Sequence, residues 1–129
     1  MLIVKPVQDK SEQESFCRRC GIGYDADMSC YAVHDDDKFL GVSVFRIIGK
    51  AGVLYDIKLC DGITDDEATY LLGKATLNFI DLCGIKDTIF KGSDRALALK
   101  LEFLEKDGVW RLNLEGYFET PCRRHKDEK

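Results

Sequence analysis

The stretch from Val53 to Phe103 limits the folds open to this chain more than any other part of it. Val53 to Cys60 is an apolar run that predicts a strand, and an acidic loop follows it. Asp65 to Leu82 then carries Ala68, Leu71, Leu72, Ala75, Phe79 and Leu82 at helical spacing on one face, with Lys74, Asn78 and Asp81 off it. Gly84 is a stop signal. Beyond it come a short strand (Thr88 to Phe90), a second helix (Asp94 to Lys100) and an aromatic at Phe103. Strand, helix, strand and helix in that order predict a right-handed parallel crossover. Ligands of such crossovers bind at the carboxyl ends of the strands, beside a helix N-terminus.

The remainder of the chain frames this unit. Leu2 to Val7 predicts a first strand. Ser11 with Glu14 forms a capping-box signature for a helix through about Cys20, closed by Gly21 and Gly23. Ser29 to His34, Phe39 to Ile48 and Val53 onward read as an antiparallel meander, with turns at Asp35–Lys38 and Gly49–Gly52. Lys106-Asp107-Gly108 is a hairpin turn leading to a last strand, Val109 to Leu114, whose Trp110 is expected to pack with Phe103 or Tyr117. The expectation is one α/β (mixed α+β) domain over 1–129, with six or seven strands, helices on both faces and a polar, frayed tail from about Arg123.

Composition excludes several classes of function. A chain of 129 residues holds one core, and no apolar run approaches the roughly 18 residues that a membrane span needs. No signal peptide is evident, so a cytoplasmic location is expected. The net charge of −4 argues against a nucleic-acid partner, and Arg18-Arg19 and Arg123-Arg124 with Lys126 read as solvated surface. The six cysteines read as reduced thiols, with Cys60 and Cys83 as small core residues.

Two segments carry a family resemblance. Leu54-Tyr55-Asp56-Ile57-Lys58-Leu59 resembles the central fourth strand of the GNAT superfamily of N-acetyltransferases. Ala98-Leu99-Lys100-Leu101-Glu102-Phe103 is similar to that family's Tyr-x-Lys-x-Gly-Phe segment, and the final hairpin fits too. The resemblance implies a GNAT-like fold and transfer of an acetyl or other acyl group from acetyl-CoA to an amine of a small molecule or peptide. It also implies that backbone donors near Leu59 hold the thioester carbonyl and pantetheine arm, and that the helix start at Ala68-Thr69 faces the pyrophosphate. Asp56, or an acid in the loop, would be the base.

The chain departs from that pattern where the family binds phosphate. Against the family's glycine-rich loop it offers Ile63-Thr64-Asp65-Asp66-Glu67-Ala68, with no glycine after Gly62 and no basic residue. Thr64 with Glu67 reads as a capping box, which occupies helix N–H groups with the protein's own side chains. Asp61, Asp65, Asp66 and Glu67 add like charge, each pair at about 4 Å costing from roughly 1 kcal/mol in water to about 4 near a protein surface. Carboxylates in a first helical turn also favourably oppose the macrodipole. Ala98 stands where many relatives carry a tyrosine that protonates the leaving thiolate, and Tyr55, Tyr70 and Tyr117 are the substitutes on offer. Two readings stay open: an acyltransferase, or a GNAT-fold binding or regulatory module that does not use acetyl-CoA.

Other constellations are weaker. Asp56 and Lys58 alternate with Tyr55, Ile57 and Leu59, an unusual charged pair for a central strand, so Asp56 is the candidate functional carboxylate. The competing role is an ion pair with Lys58 or Arg46. Cys17, Cys20, Cys122 and His125 have the spacing of a zinc set, but the first pair falls on a predicted helix, and no metal is expected. His34 reads as part of a solvated turn. Oligomeric state is open.

Overall fold

In the computed structural model, which describes residues 1–119, the elements follow in the order β1 (Leu2–Val7), α1 (Lys10–Arg19), β2 (Ser29–Asp35), β3 (Lys38–Ile48), β4 (Ala51–Leu59), α2 (Asp66–Leu82), β5 (Asp87–Phe90), α3 (Arg95–Lys100), β6 (Leu104–Lys106) and β7 (Val109–Asn113). Among these residues the strands form one seven-stranded sheet in the order β1-β2-β3-β4-β5-β7-β6. Neighbours are antiparallel except β4 and β5, which run parallel with α2 as their connection. The mixed sheet and parallel crossover expected from the sequence are both present. Cys122, His125 and the basic residues of the tail lie outside the described residues.

Strand alternation divides the core between the two faces of the sheet. Val33, Phe45, Leu54 and Ile57 pack with Leu72, Leu77 and Ile80 of α2 and with Leu97 and Leu101 of α3. Cys30, Ala32, Val42 and Val44 face the other way, against Cys17 and Cys20 at the end of α1. Helices therefore cover both faces. Gly73 lets α2 approach α3 closely, since a Cβ there would come within 2.6 Å of the Leu101 side chain.

Several local expectations are corrected. All three helices are capped by aspartate: Asp9, Asp65 and Asp94 accept from the N–H groups of Glu12, Ala68 and Leu97, each at 3.0 Å. Neither Ser11 nor Thr64 is the N-cap. An ionised carboxylate is a stronger acceptor than a hydroxyl and complements the positive end of the helix. The buried face of α2 is also rotated from the expected one. Ala68, Leu72, Thr76, Leu77 and Ile80 are buried, whereas Phe79 is 39% and Leu82 76% exposed. Thr76 can turn inward because its hydroxyl donates to Leu72 O at 2.8 Å and accepts from the Ser43 hydroxyl at 2.7 Å.

Cys83 is exposed at the C-cap of α2 and Cys60 is half-buried, while Cys17, Cys20 and Cys30 are the buried thiols. His34 lies in β2 against the rings of Phe16 and Phe39, not in a solvated turn. Trp110 packs at the margin of the core that holds Phe103 and Tyr117, with the Arg95 guanidinium 5.5 Å above its ring.

Candidate functional site

Parallel pairing between β4 and β5 runs only from Ala51 opposite Asp87 to Leu54 opposite Phe90, with one more bond from Lys91 N–H to Leu54 O at 2.8 Å. Beyond that point the strands part. The cause is visible on the other edge of β4, where Val44 of β3 faces Asp56 while Phe45 faces Leu54. Tyr55 is thus an extra residue in the ladder, a β-bulge, and a bulge bends its strand. The loop after β5 turns aside at Gly92, where a Cβ would stand 2.5 Å from the Phe90 ring and 3.0 Å from Asp56 Oδ1.

The parting opens a cleft of about 290 Å³ lined by Asp56, Ile57, Lys58 and Leu59 of β4, by Ile63 to Asp66 and Thr69 around the start of α2, and by Ser93 and Asp94. A smaller hollow of about 130 Å³ between α2 and α3 shares Asp66, Thr69 and Asp94 and adds Lys100. Cys60 N–H donates to Leu40 O on the β3 side at 2.8 Å. By strand alternation the N–H groups of Ile57 and Leu59 therefore point to the opposite edge, into the cleft. Ile57 N–H donates to Asp56 Oδ1 at 2.9 Å, and Leu59 N–H lies on the same edge of β4.

Asp56 projects into this cleft with 22% of its side chain exposed and with Lys58 Nζ 3.9 Å away. Burial pushes its carboxyl above the ordinary value of 3.8, the Ile57 N–H and the Lys58 charge pull it back, and the Asp94 charge raises it again. The ion-pair alternative to a functional role is real for Lys58 but not for Arg46, which lies 4.0 Å from Asp27.

Asp56, Leu59 and Thr69, named from the sequence, line one cleft. Ala68 does not reach it: its side chain is fully buried, and its N–H is taken by Asp65. Thr69 N–H bonds Asp65 O at 3.3 Å and its hydroxyl donates to Asp66 O at 3.1 Å. The N–H groups outside the helical ladder are those of Asp66 and Glu67 at its first positions. Asp94, read from the sequence only as the start of a helix, also lines the cleft, as the N-cap of α3.

The segment from α3 to Phe103 also departs from the pattern it resembles. Ala98 is buried and its carbonyl accepts from Phe103 N–H at 2.9 Å, while Glu102 takes φ +77°, where the resembling segment has glycine. Tyr117 donates its hydroxyl to Leu101 O at 2.9 Å, and burial raises its pKa, so this tyrosine is committed to the core. Tyr70 lies beneath the Lys100 ammonium at 5.0 Å, and Tyr55 beneath Lys91 at 5.9 Å. Cys17 and Cys20 are buried against the sheet, with Cys17 Sγ 3.9 Å from Cys30 Sγ and the Cys20 thiol pushed up to about 12, mainly by burial. Among the described residues no group of three or more His, Cys, Asp or Glu side chains is arranged to hold a metal ion, and no helix is long and apolar enough to cross a membrane.

No family model matches this sequence, and no curated protein is similar to it at the sequence level. Solved structures do match. A ribosomal-protein alanine N-acetyltransferase of Escherichia coli superposes with a TM-score of 0.67 at 12% identity, over 88% of this chain and 94% of that one. The PaiA N-acetyltransferase of Thermoplasma acidophilum, in complex with coenzyme A, gives 0.61 at 11% identity over 88% and 99%. A GNAT family acetyltransferase of Elizabethkingia anophelis with acetyl-CoA bound gives 0.59 at 9% identity over 88% and 98%.

Proposed function

We propose, from the premise that this chain has the fold of the GNAT N-acetyltransferases, that it moves an acetyl or other short acyl group from a coenzyme A thioester to an amine. The observation that carries the reading is the parting of β4 from β5 after Leu54, which leaves the Leu59 N–H facing a cleft beside the start of α2. A pantetheine arm is an extended chain with amide groups, and an unpaired strand edge offers such a chain the hydrogen bonds that β5 does not take.

Leu59 N–H is the donor available to the thioester carbonyl, where negative charge grows as the amine attacks. Asp56 is the base: partial burial raises its affinity for a proton, and it stands in the cleft within reach of an amine or of one intervening water. The Asp66 N–H at the first position of α2, with Thr69 beside it, forms the end of the cleft that would meet the pyrophosphate. The fit is good for the pantetheine arm and poor for the pyrophosphate, because Asp65 and Asp66 bring carboxylates to that end. A donor held mainly through its arm is the consequence.

The acceptor is an amine of a small molecule or a peptide. The test is release of free coenzyme A thiol from acetyl-CoA by the purified protein with a panel of polyamines, amino acids and peptides. Amine-dependent release that is lost in Asp56→Asn supports the proposal. Release no faster than in protein-free buffer with every amine overturns it and favours the binding module, which the aspartate cap on α2 and the buried Ala98 would suit.

A further inference from the structure

We propose that Lys58 is an acyl acceptor built into the cleft, so that the protein acylates its own Lys58 amine. The inference rests on the acyl-transfer reading above and adds a modification site to it. Asp56 and Lys58 are two residues apart on β4, so both side chains project from the same face of the strand. Both line the cleft beside Leu59, and Lys58 Nζ lies 3.9 Å from Asp56 Oδ2 with 43% of its side chain exposed. That separation exceeds a direct hydrogen bond and is closed by a small rotation of either side chain. The neighbouring ammonium groups are drawn elsewhere, Lys100 over the Tyr70 ring and Lys91 over Tyr55. Lys58 is thus the amine placed beside both the candidate base and the candidate carbonyl donor.

The step balances without a further reagent. The Lys58 ammonium loses one proton to solvent, and the free amine attacks the thioester carbonyl. A C–N bond forms, the C–S bond breaks, and the second amine proton passes through Asp56 to the departing thiolate, giving an amide and a free thiol. The amide removes the positive charge that faces Asp56, so the protein becomes one unit more negative than its starting −4. An acylated cleft then repels the phosphates of a further donor more strongly, which makes the reaction self-limiting.

The experiment incubates the purified full chain with acetyl-CoA, and separately with S-acetyl-N-acetylcysteamine, a thioester that carries no phosphate. Intact mass and peptide mapping then follow acetyl addition at every lysine. The expected result is one fast acetyl addition, on Lys58, abolished by Lys58→Arg and slowed about 10²-fold by Asp56→Asn, with slow addition at other lysines unchanged. Loss of that selectivity in urea-unfolded protein completes the support. Lys58 acetylated no faster than the other lysines, or at the same rate in Asp56→Asn, overturns the inference. Labelling by the small thioester without binding of acetyl-CoA supports Lys58 while the coenzyme A reading fails. Transfer to an external amine with no label on Lys58 overturns the inference alone.

Discussion

Asp56 carries the chemistry proposed for the cleft, and its environment makes two separable predictions. Burial outweighs the Ile57 N–H and the Lys58 charge, so its carboxyl binds a proton more tightly in the folded chain than in the unfolded one. Stability is then lost as pH rises from the ordinary value of 3.8 through the raised folded value, and stays lost above it. Asp56→Asn keeps an oxygen acceptor for Ile57 N–H and removes that loss. It is expected to unfold at a higher temperature than the parent at neutral pH, with the difference vanishing below the ordinary carboxylate value. In the same variant kcat/KM should fall about 10²- to 10⁴-fold, as for a lost general base. Glu102 supplies a prediction of a different kind. It holds φ +77° at the end of α3, with its N–H on Leu99 O, a conformation that suits glycine. Glu102→Gly should raise stability by about 0.5–1 kcal/mol, read by urea unfolding. Both residues stood out in the sequence, Asp56 as a charge inside an apolar strand and Glu102 as a departure from the resembling segment. That Lys58 rather than Arg46 would partner Asp56 was not decidable, because it depends on which strand face each side chain takes.

At the scale of the element, the start of α2 is, under the proposed function, the part that selects what the cleft accepts. Asp65 contributes a cap and a charge, and Asn caps a helix about as well without the charge. Asp65→Asn is therefore expected to leave stability within about 0.5 kcal/mol of the parent. Removing a repulsion of about 1 kcal/mol should tighten acetyl-CoA binding about fivefold. The spacing of α2 from α3 depends on Gly73. Gly73→Ala gains about 1 kcal/mol of helix propensity but drives a methyl into the fully buried Leu101, which costs about 1–3 kcal/mol. A net loss of stability in thermal unfolding is the expected outcome. Elements were legible in the sequence because glycine and aspartate mark the turns at Asp36-Asp37, Gly49 and Asp107-Gly108, and the structure puts positive φ at Asp36, Gly49, Asp107 and Gly108. Their ends and faces were less so. Adjacent Thr64 and Asp65 can each cap a helix, and the choice turns on which side chain the incoming loop aims at Ala68 N–H. Thr76 takes a buried place on α2 because Ser43, thirty-three residues earlier, satisfies its hydroxyl, a pairing that helical spacing alone does not reveal.

Across the whole molecule, the antiparallel meander, the parallel β4–β5 pair and the final hairpin follow from the order of strand and helix signals, as does the presence of helices on both faces. The cleft does not. It arises from a bulge at Tyr55, and a bulge is a property of the register between β3 and β4, to which no residue in either strand testifies alone. The clustering of carboxylates at its mouth is likewise a product of topology, since β4, α2 and the loop before α3 bring Asp56, Asp65, Asp66 and Asp94 together from well-separated positions. The central claim is that this cleft receives the arm of an acyl-coenzyme A. Titration calorimetry of the reduced protein with acetyl-CoA tests it most directly. One-site binding at micromolar concentrations, weakened by the bulk that Ser93→Trp places in the cleft, is the predicted result. No heat of binding up to millimolar acetyl-CoA, or binding unchanged in Ser93→Trp, would contradict it.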